Sequence, residues 1–249
     1  MIGLVVVSHS RALAEAAVEL ALQMGGAQPP TIRVAAGGPD GDLGTDAVAI
    51  AAAIDEADSG DGVLVLMDLG SAILSAETAR EFVAEPDRVR LSAAPFVEGL
   101  VSAVVTAVGG ADLDAVAAEC ATAGDAKRQQ LGDTPPVRGG VGDGDGDEGA
   151  ASGEEDEGAF SFEAVITNPS GLHARPAATF VKTASRYDAD VCIADLDAGS
   201  DVVSGRSLLA LMALGIRQGS RVRVSATGTQ ASAALSDLRA LIEDGFGER

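Results

Sequence analysis

The sequence predicts two units of different class: an α/β unit with a mostly parallel sheet, then an α+β unit with an antiparallel sheet. Three observations predict this. The first half alternates short apolar runs with helical periodicities, the pattern of strands joined by crossover helices. Residues 159–249 hold strands without paired crossover helices. Between them runs GDTPPVRGGVGDGDGDEGAASGEEDEG, residues 132–158, rich in Gly, Asp and Glu and nearly free of apolar side chains. Such a stretch cannot repay its ordering entropy and reads as a disordered linker. The units are therefore residues 1–131 and 159–249, and a chain of 249 residues can give each its own core.

In the first unit, Ile2 to Val7 is an apolar run of strand length. Ser10 to Met24 repeats Leu13, Ala17, Leu20 and Met24 at helical spacing, and Gly25-Gly26 stops it. Thr31 to Ala35 is a second strand, followed by the glycine-rich loop GGPDGDLGT and a helix over Asp46 to Ala57. Val63 to Met67 is a third strand, Ser71 to Ala84 a third helix and Val89 to Leu91 a short fourth strand. Phe96 to Ala107 and Asp112 to Ala123 read as helices. In the second unit, strands fall at Phe162 to Thr167, Asp190 to Asp195 and Arg221 to Ala226. Helices fall at Leu172 to Tyr187, Leu208 to Leu214 and Gln230 to Ile242. No internal repeat links the halves.

With 17 basic against 38 acidic residues, the net charge of −21 argues against nucleic acid or anionic membranes as partners. No apolar run is long and clean enough to span a bilayer. Met1 to Val7 lacks the basic flank of a signal peptide and is interrupted at once by His9 and Arg11, so a cytoplasmic location is predicted. Lys127 and Lys182 are the only lysines. An acidic, lysine-poor surface fits a halophilic cytoplasm, where salt screens self-repulsion. Cys120 and Cys192 lie in different halves without CxxC spacing, which supports neither a disulfide framework nor a zinc site.

The chain has two histidines, and each sits at a strand-to-helix turn. His9 follows the first strand in VVVSHSRAL, and His173 lies in NPSGLHARPAA. In an open parallel sheet, sites form at the carboxyl ends of strands. A helix N-terminus offers free backbone N–H groups to an anion, and Pro176 fits the first helical turn. An imidazole is a nucleophile near neutral pH and can carry a phosphoryl group. The competing reading, an ordinary capping or core histidine, applies to either residue alone. It weakens when the only two histidines share one setting. Isolated histidines without local His or Cys partners make a poor metal site, so neither metal nor cofactor is predicted. Asp68 ends the third strand at the same sheet edge as His9, where its carboxylate can fix the ring tautomer. Ser71 and Gly70 open the next helix, and Gly37 and Gly38 lie in the loop at that edge. Arg175 can add charge-assisted bonds to a phosphate on His173.

NPSGLHARPAATFVKTA, with GRSLLALMALGIRQGSRVRVSATG downstream, resembles HPr, the histidine-containing phosphocarrier of the sugar phosphotransferase system, over residues 160–249. The resemblance implies an open-faced α+β sandwich. It also implies that His173 is the phosphorylated residue with Arg175 its charge partner, and that enzyme I is the donor. Ser207 matches a position phosphorylated in some HPr proteins; here it also suits a helix cap. VVVSHSR, AAGGPDGDLGT, LMDLGSAILSAETA and APFVEGLVSA resemble the mannose-class IIA domain, and most of all the DhaM-type phosphotransfer subunit of phosphoenolpyruvate-dependent dihydroxyacetone kinase. That resemblance implies a four-stranded parallel sheet with helices on both faces and a homodimer through this unit.

Together the two resemblances imply a relay. Phosphate passes from phosphoenolpyruvate through enzyme I, His173 and His9 to ADP on a nucleotide-binding kinase subunit, and then to dihydroxyacetone on a third subunit. Some relatives carry an enzyme I-like segment after the HPr part. This sequence ends at Arg249, so enzyme I is expected as a separate protein. A mannose-class sugar-transport component and a regulatory phosphoprotein remain open as alternatives. A flexible linker of this length reaches roughly 30 Å, enough for transfer within one chain or across a dimer.

Overall fold

The computed structural model describes residues 1–26, 28–39, 41–131 and 160–248. The acidic stretch expected to link the units, 132–158, falls outside the described residues. The first unit is built on β1 (Gly3–Ser8), β2 (Ile32–Ala36), β3 (Val63–Met67) and β4 (Val89–Ser92), in the order β2-β1-β3-β4. All three pairings are parallel, with Val5 opposite both Arg33 and Val65. Every residue of β1 and β3 is buried, as it must be when crossover helices cover both faces.

Successive side chains of a strand point to opposite faces, so the unit has two cores. Leu4, Val6, Leu64 and Leu66 meet Ala17, Leu100 and Val104 on one side. Val5, Val7, Val63 and Val65 meet Ile50, Ile54 and Ala76 on the other. The first core lies under α1 (Arg11–Gly25), α4 (Phe96–Val108) and α5 (Leu113–Ala121); the second lies under α2 (Ala47–Ala57) and α3 (Ser71–Arg80). A side chain at Gly3 would put its Cβ 2.2 Å from the Ala57 carbonyl oxygen, so only glycine lets β1 pass the end of α2.

Of the expected apolar stripe of α1, only Ala17 is buried. Ala14, Ala17, Ala21 and Gly25 are buried, while Leu13 and Leu20 are 45% and 41% exposed. Both stripes satisfy the helical period; the small residues are buried because they allow α1 to lie close against the sheet and α4. The third helix stops at Arg80 rather than residue 84. The Glu81 and Phe82 amides bond back to Thr78 and Ala79 carbonyls, tight turns that end it. A short α6 (Asp125–Gln130) follows α5; at that length a helix leaves no periodic signal.

The second unit has β5 (Phe160–Val165), β6 (Asp190–Asp195), β7 (Val203–Ser204) and β8 (Arg221–Thr227), all antiparallel, in the order β5-β8-β6-β7. The two-residue β7 was not expected. Helices α7 (Ala174–Ala184), α8 (Leu208–Ala213) and α9 (Ala231–Glu243) cover one face. Phe180, Leu208, Leu211, Ile193, Val224 and Leu238 fill that core. The other face is polar: Arg223 donates to the directly opposed Glu163 at 2.9 Å. The helix expected over Leu172 to Tyr187 is shorter at both ends. The Leu172 amide goes to the Ile216 carbonyl, and the Arg186 and Tyr187 amides close tight turns onto Thr183 and Ala184.

The two units pack on each other, with α7 and α8 against α1, α4 and α6. Val105 of α4 sits in the second unit's apolar cluster.

Candidate functional site

The carboxyl edge of the parallel sheet gathers His9, Asp68 and Ser71. Ser8, fully buried, ends β1 and turns the chain outward, leaving His9 half-buried before α1. Ser10 caps α1, its hydroxyl accepting from the Leu13 amide at 3.4 Å. Asp68 follows β3 and aims its carboxylate back at His9. Oδ1 lies 2.9 Å from His9 Nδ1 and accepts the Leu69 amide at 2.7 Å. Oδ2 accepts the His9 amide and the Ser8 hydroxyl, each at 2.9 Å.

Burial by itself raises the Asp68 carboxyl pKa. The bonds from the His9 amide, the His9 ring and Ser8 outweigh it, so the group is held below its ordinary value and stays ionised. An ionised carboxylate only accepts, so the proton belongs on Nδ1 and the lone pair on Nε2. Nε2 lies 3.0 Å from the Ser71 hydroxyl at the start of α3, which donates to that lone pair.

Gly37 and Gly38 line the same cleft as His9, together with Arg11. The loop is tied to β1 by the Gly37 amide on the Ser8 carbonyl and the Gly44 amide on the His9 carbonyl, both 3.1 Å. Gly37 has φ of +87°, a conformation that favours glycine. The Arg11 guanidinium donates to the Ala36 carbonyl at 3.1 Å, which brings a cation to the cleft. Sequence reasoning missed Ser8 and Arg11 as site residues, although both flank His9 in VVVSHSR. A charged residue in the first turn after the histidine was the available signal for Arg11.

His173 is the residue before α7, with extended backbone (φ −72°, ψ 178°) and an exposed ring. No side chain among the described residues hydrogen-bonds that ring. Gly171 and Leu172 set its position: Gly171 has φ of +63°, and the Leu172 amide bonds to the Ile216 carbonyl at 3.0 Å. The shallow cleft around the ring is lined by Leu172, Met212, Gly215, Ile216 and Arg217. Arg175 is exposed in the first turn of α7, and its guanidinium makes no hydrogen bond or ion pair among the described residues. The structure therefore leaves it near His173 without joining it to the ring.

Two neighbours were not foreseen. Asn168, 1% exposed, donates to the Gly171 carbonyl at 2.8 Å and to Glu248 at 3.0 Å. Glu248 also accepts from the Ser170 hydroxyl. Those two bonds, aided more weakly by the charges of Arg175 and His173 and opposed by burial, hold its carboxyl below the usual value. Glu248 is distant in sequence, so only the fold reveals the contact.

Ser207 caps α8, its hydroxyl accepting from the Ala210 amide at 3.0 Å. Among the described residues, no group of three or more His, Cys, Asp or Glu could hold a metal ion. Among the described residues, no helix is long and apolar enough to cross a membrane.

Each unit matches a known family model. Residues 3–117 match the model of the PTS system fructose IIA component, and residues 160–244 match that of the PTS HPr component phosphorylation site. Fold, site and both matches define the class: a phosphotransferase-system protein with one IIA-type and one HPr-type unit.

Over its full length the chain is 42% identical to the PEP-dependent dihydroxyacetone kinase phosphoryl donor subunit DhaM of Escherichia coli. It is 38% identical to that of Klebsiella michiganensis. The chain is similar to these DhaM-type subunits along its whole length, and it spans 51% of the length of each of those two relatives. A crystal structure of HPr from Thermoanaerobacter tengcongensis is 38% identical, with 36% of this chain and 98% of that one covered and a TM-score of 0.34.

Proposed function

We propose that the chain relays a PEP-derived phosphoryl group from enzyme I through His173 and His9 to ADP on the nucleotide-binding subunit of dihydroxyacetone kinase. The observation that carries the reading is the His9 ring, with Nδ1 on an ionised Asp68 and Nε2 at the Ser71 hydroxyl. Nε2 attacks phosphorus held on His173. The P–N bond to His173 breaks and its electron pair returns to that ring, while a P–N bond forms at His9 Nε2. The Nδ1 proton stays in place, and the positive charge that develops on the His9 ring is offset by Asp68. The Ser71 hydroxyl then donates to a phosphoryl oxygen instead of the lone pair, and Gly37, Gly38 and Arg11 border the phosphoryl group.

Arg175 serves as the cation for phosphate on His173. In the kinase, the dihydroxyacetone-binding subunit presents the final acceptor. Residues 132–158 act as the tether between the units, and the system works in the cytoplasm. Exposed Leu69, Ile73, Leu74 and Phe82 support homodimerisation through the first unit. Sedimentation equilibrium checks this: a monomer at micromolar concentration rejects it.

The test is delivery. The protein is charged from labelled phosphoenolpyruvate with enzyme I, then mixed with the two kinase subunits and dihydroxyacetone. Labelled dihydroxyacetone phosphate is expected, and both His9→Ala and His173→Ala abolish it. Charged histidines without triose phosphate reject the acceptor and favour a mannose-class permease or a regulatory role. Ser71→Ala is expected to slow charging of His9 by about ten- to a hundred-fold, as loss of one donor to a developing charge does, while His173 charges normally. An unchanged His9 rate rejects that role.

A further inference from the structure

We infer that the two units dock into a closed resting form that covers the face beside His173 and keeps it away from His9, so that phosphoryl transfer requires the seam to open. This inference rests on the relay reading. The seam is built from named contacts. Leu20 and Met24 of α1 and Val97 and Val101 of α4 face Ala174 of α7 and Leu209 and Met212 of α8 around one apolar cavity. Leu209 is only 8% exposed yet belongs to no core cluster of its own unit, so its cover comes from the other unit. Its neighbours Leu208 and Leu211 belong to the second unit's core, and Leu208 also borders the seam cavity.

Polar clasps close both sides of this apolar strip. Glu119 of α5 accepts the Ser207 hydroxyl at 2.7 Å and the Leu209 amide at 3.2 Å from α8. The Lys182 ammonium of α7 donates to the Met24 carbonyl in the last turn of α1, where the helix dipole is negative. Burial in the seam lowers the Lys182 pKa. These clasps specify one register of docking.

The seam also has the marks of a separable contact. The apolar cleft between the units, about 380 Å³, is partly open to solvent, so the seam is not close-packed throughout as an interior is. Contacts between domains of one chain commonly allow relative motion unless they are large and apolar.

Closure bears directly on the chemistry. The His9 cleft is lined by first-unit residues and the His173 cleft by second-unit residues. Neither histidine is part of the other's site. Met212 borders both the His173 cleft and the seam cavity, and Ala174, next to His173, lines the seam. A protein that exchanges a phosphoryl group with His173 covers about 800 Å² of its surface, a patch roughly 30 Å across. On the α8 side, that ground is already occupied by α1, α4 and α6. The closed form therefore excludes a full encounter with enzyme I as well as with the His9 cleft.

A cross-link tests this. A Cβ at Gly109 would lie 3.3 Å from Ser185 Cβ across the seam, within a small shift of the roughly 3.5–4.5 Å that a disulfide spans. Gly109 has ordinary helical backbone (φ −67°), and neither residue belongs to a site. The variant G109C with S185C, and each single variant, are treated with oxidised glutathione. The double variant is expected to form an intrachain disulfide. Its oxidised form should then take phosphate from enzyme I at least about ten-fold more slowly at His173 and pass none to His9, with reductant restoring both. Glu119→Arg, which opens the clasp, should instead speed charging of His173.

Absence of the disulfide overturns the docked form. A disulfide that leaves charging and transfer at the reduced rate overturns its masking role. If the reduced protein charges His173 but never His9, the relay reading fails, while the cross-link and the enzyme I rate still decide the closed form.

Discussion

Asp68→Asn is expected to slow transfer to His9 by about a hundred- to ten-thousand-fold while leaving His173 charging intact, as wrong-tautomer substitutions do at other histidine–carboxylate pairs. The amide keeps the shape of the carboxylate but can donate, so the imidazole is no longer obliged to keep its proton on Nδ1. The charge facing the phosphorylated ring is lost too. Single-turnover transfer from phosphorylated second-unit protein to each variant measures this. A change below ten-fold would show that Asp68 only supports the loop. The same carboxylate makes a pH prediction. Its folded pKa lies below the ordinary 3.8, so its stabilising effect is present above that value and is lost as pH falls through the lower folded one. Wild-type stability should therefore fall through this acid range more steeply than that of Asp68→Asn, followed by denaturant unfolding at each pH. Parallel curves would remove Asp68 from the acid response.

Gly171→Ala is expected to cost about 3 kcal/mol and to impair charging of His173, because backbone strain and a collision fall on one residue. Gly171 sits at φ of +63°, and an added Cβ would lie 2.3 Å from the Ile216 carbonyl oxygen. That same carbonyl accepts the Leu172 amide next to His173. Relief of the collision moves the loop that sets the histidine, so stability and phosphate acceptance decline together. Denaturant unfolding with the enzyme I charging rate checks both. A variant as stable as wild type would reject the close approach.

The strands of the first unit were legible because β1 and β3 are continuous apolar runs, the mark of strands buried on both faces. Helix ends were less so. Residues 81–84 continue the composition of α3, but two tight turns end it at Arg80. On α1 the larger leucines drew the stripe away from the side that meets the sheet, since spacing alone does not say which side that is. His9, Asp68, Ser71, Gly37 and Gly38 were legible as a group because strand ends in a parallel sheet share one edge. Arg175 was placed by motif, and the structure leaves it unpaired among the described residues.

The sequence by itself determined the two units, their sheet types and the two histidines at helix starts, because periodicity and turn residues act over a few positions. Only the tertiary structure decided which nitrogen of His9 is left free, since that depends on a carboxylate 59 residues away. Only it brought Glu248 to the loop before His173, across 80 residues from Asn168. It alone set α7 and α8 against α1, α4 and α6, because the covering of Leu209 by another unit is a property of two surfaces meeting, and neither surface records its partner in its own pattern.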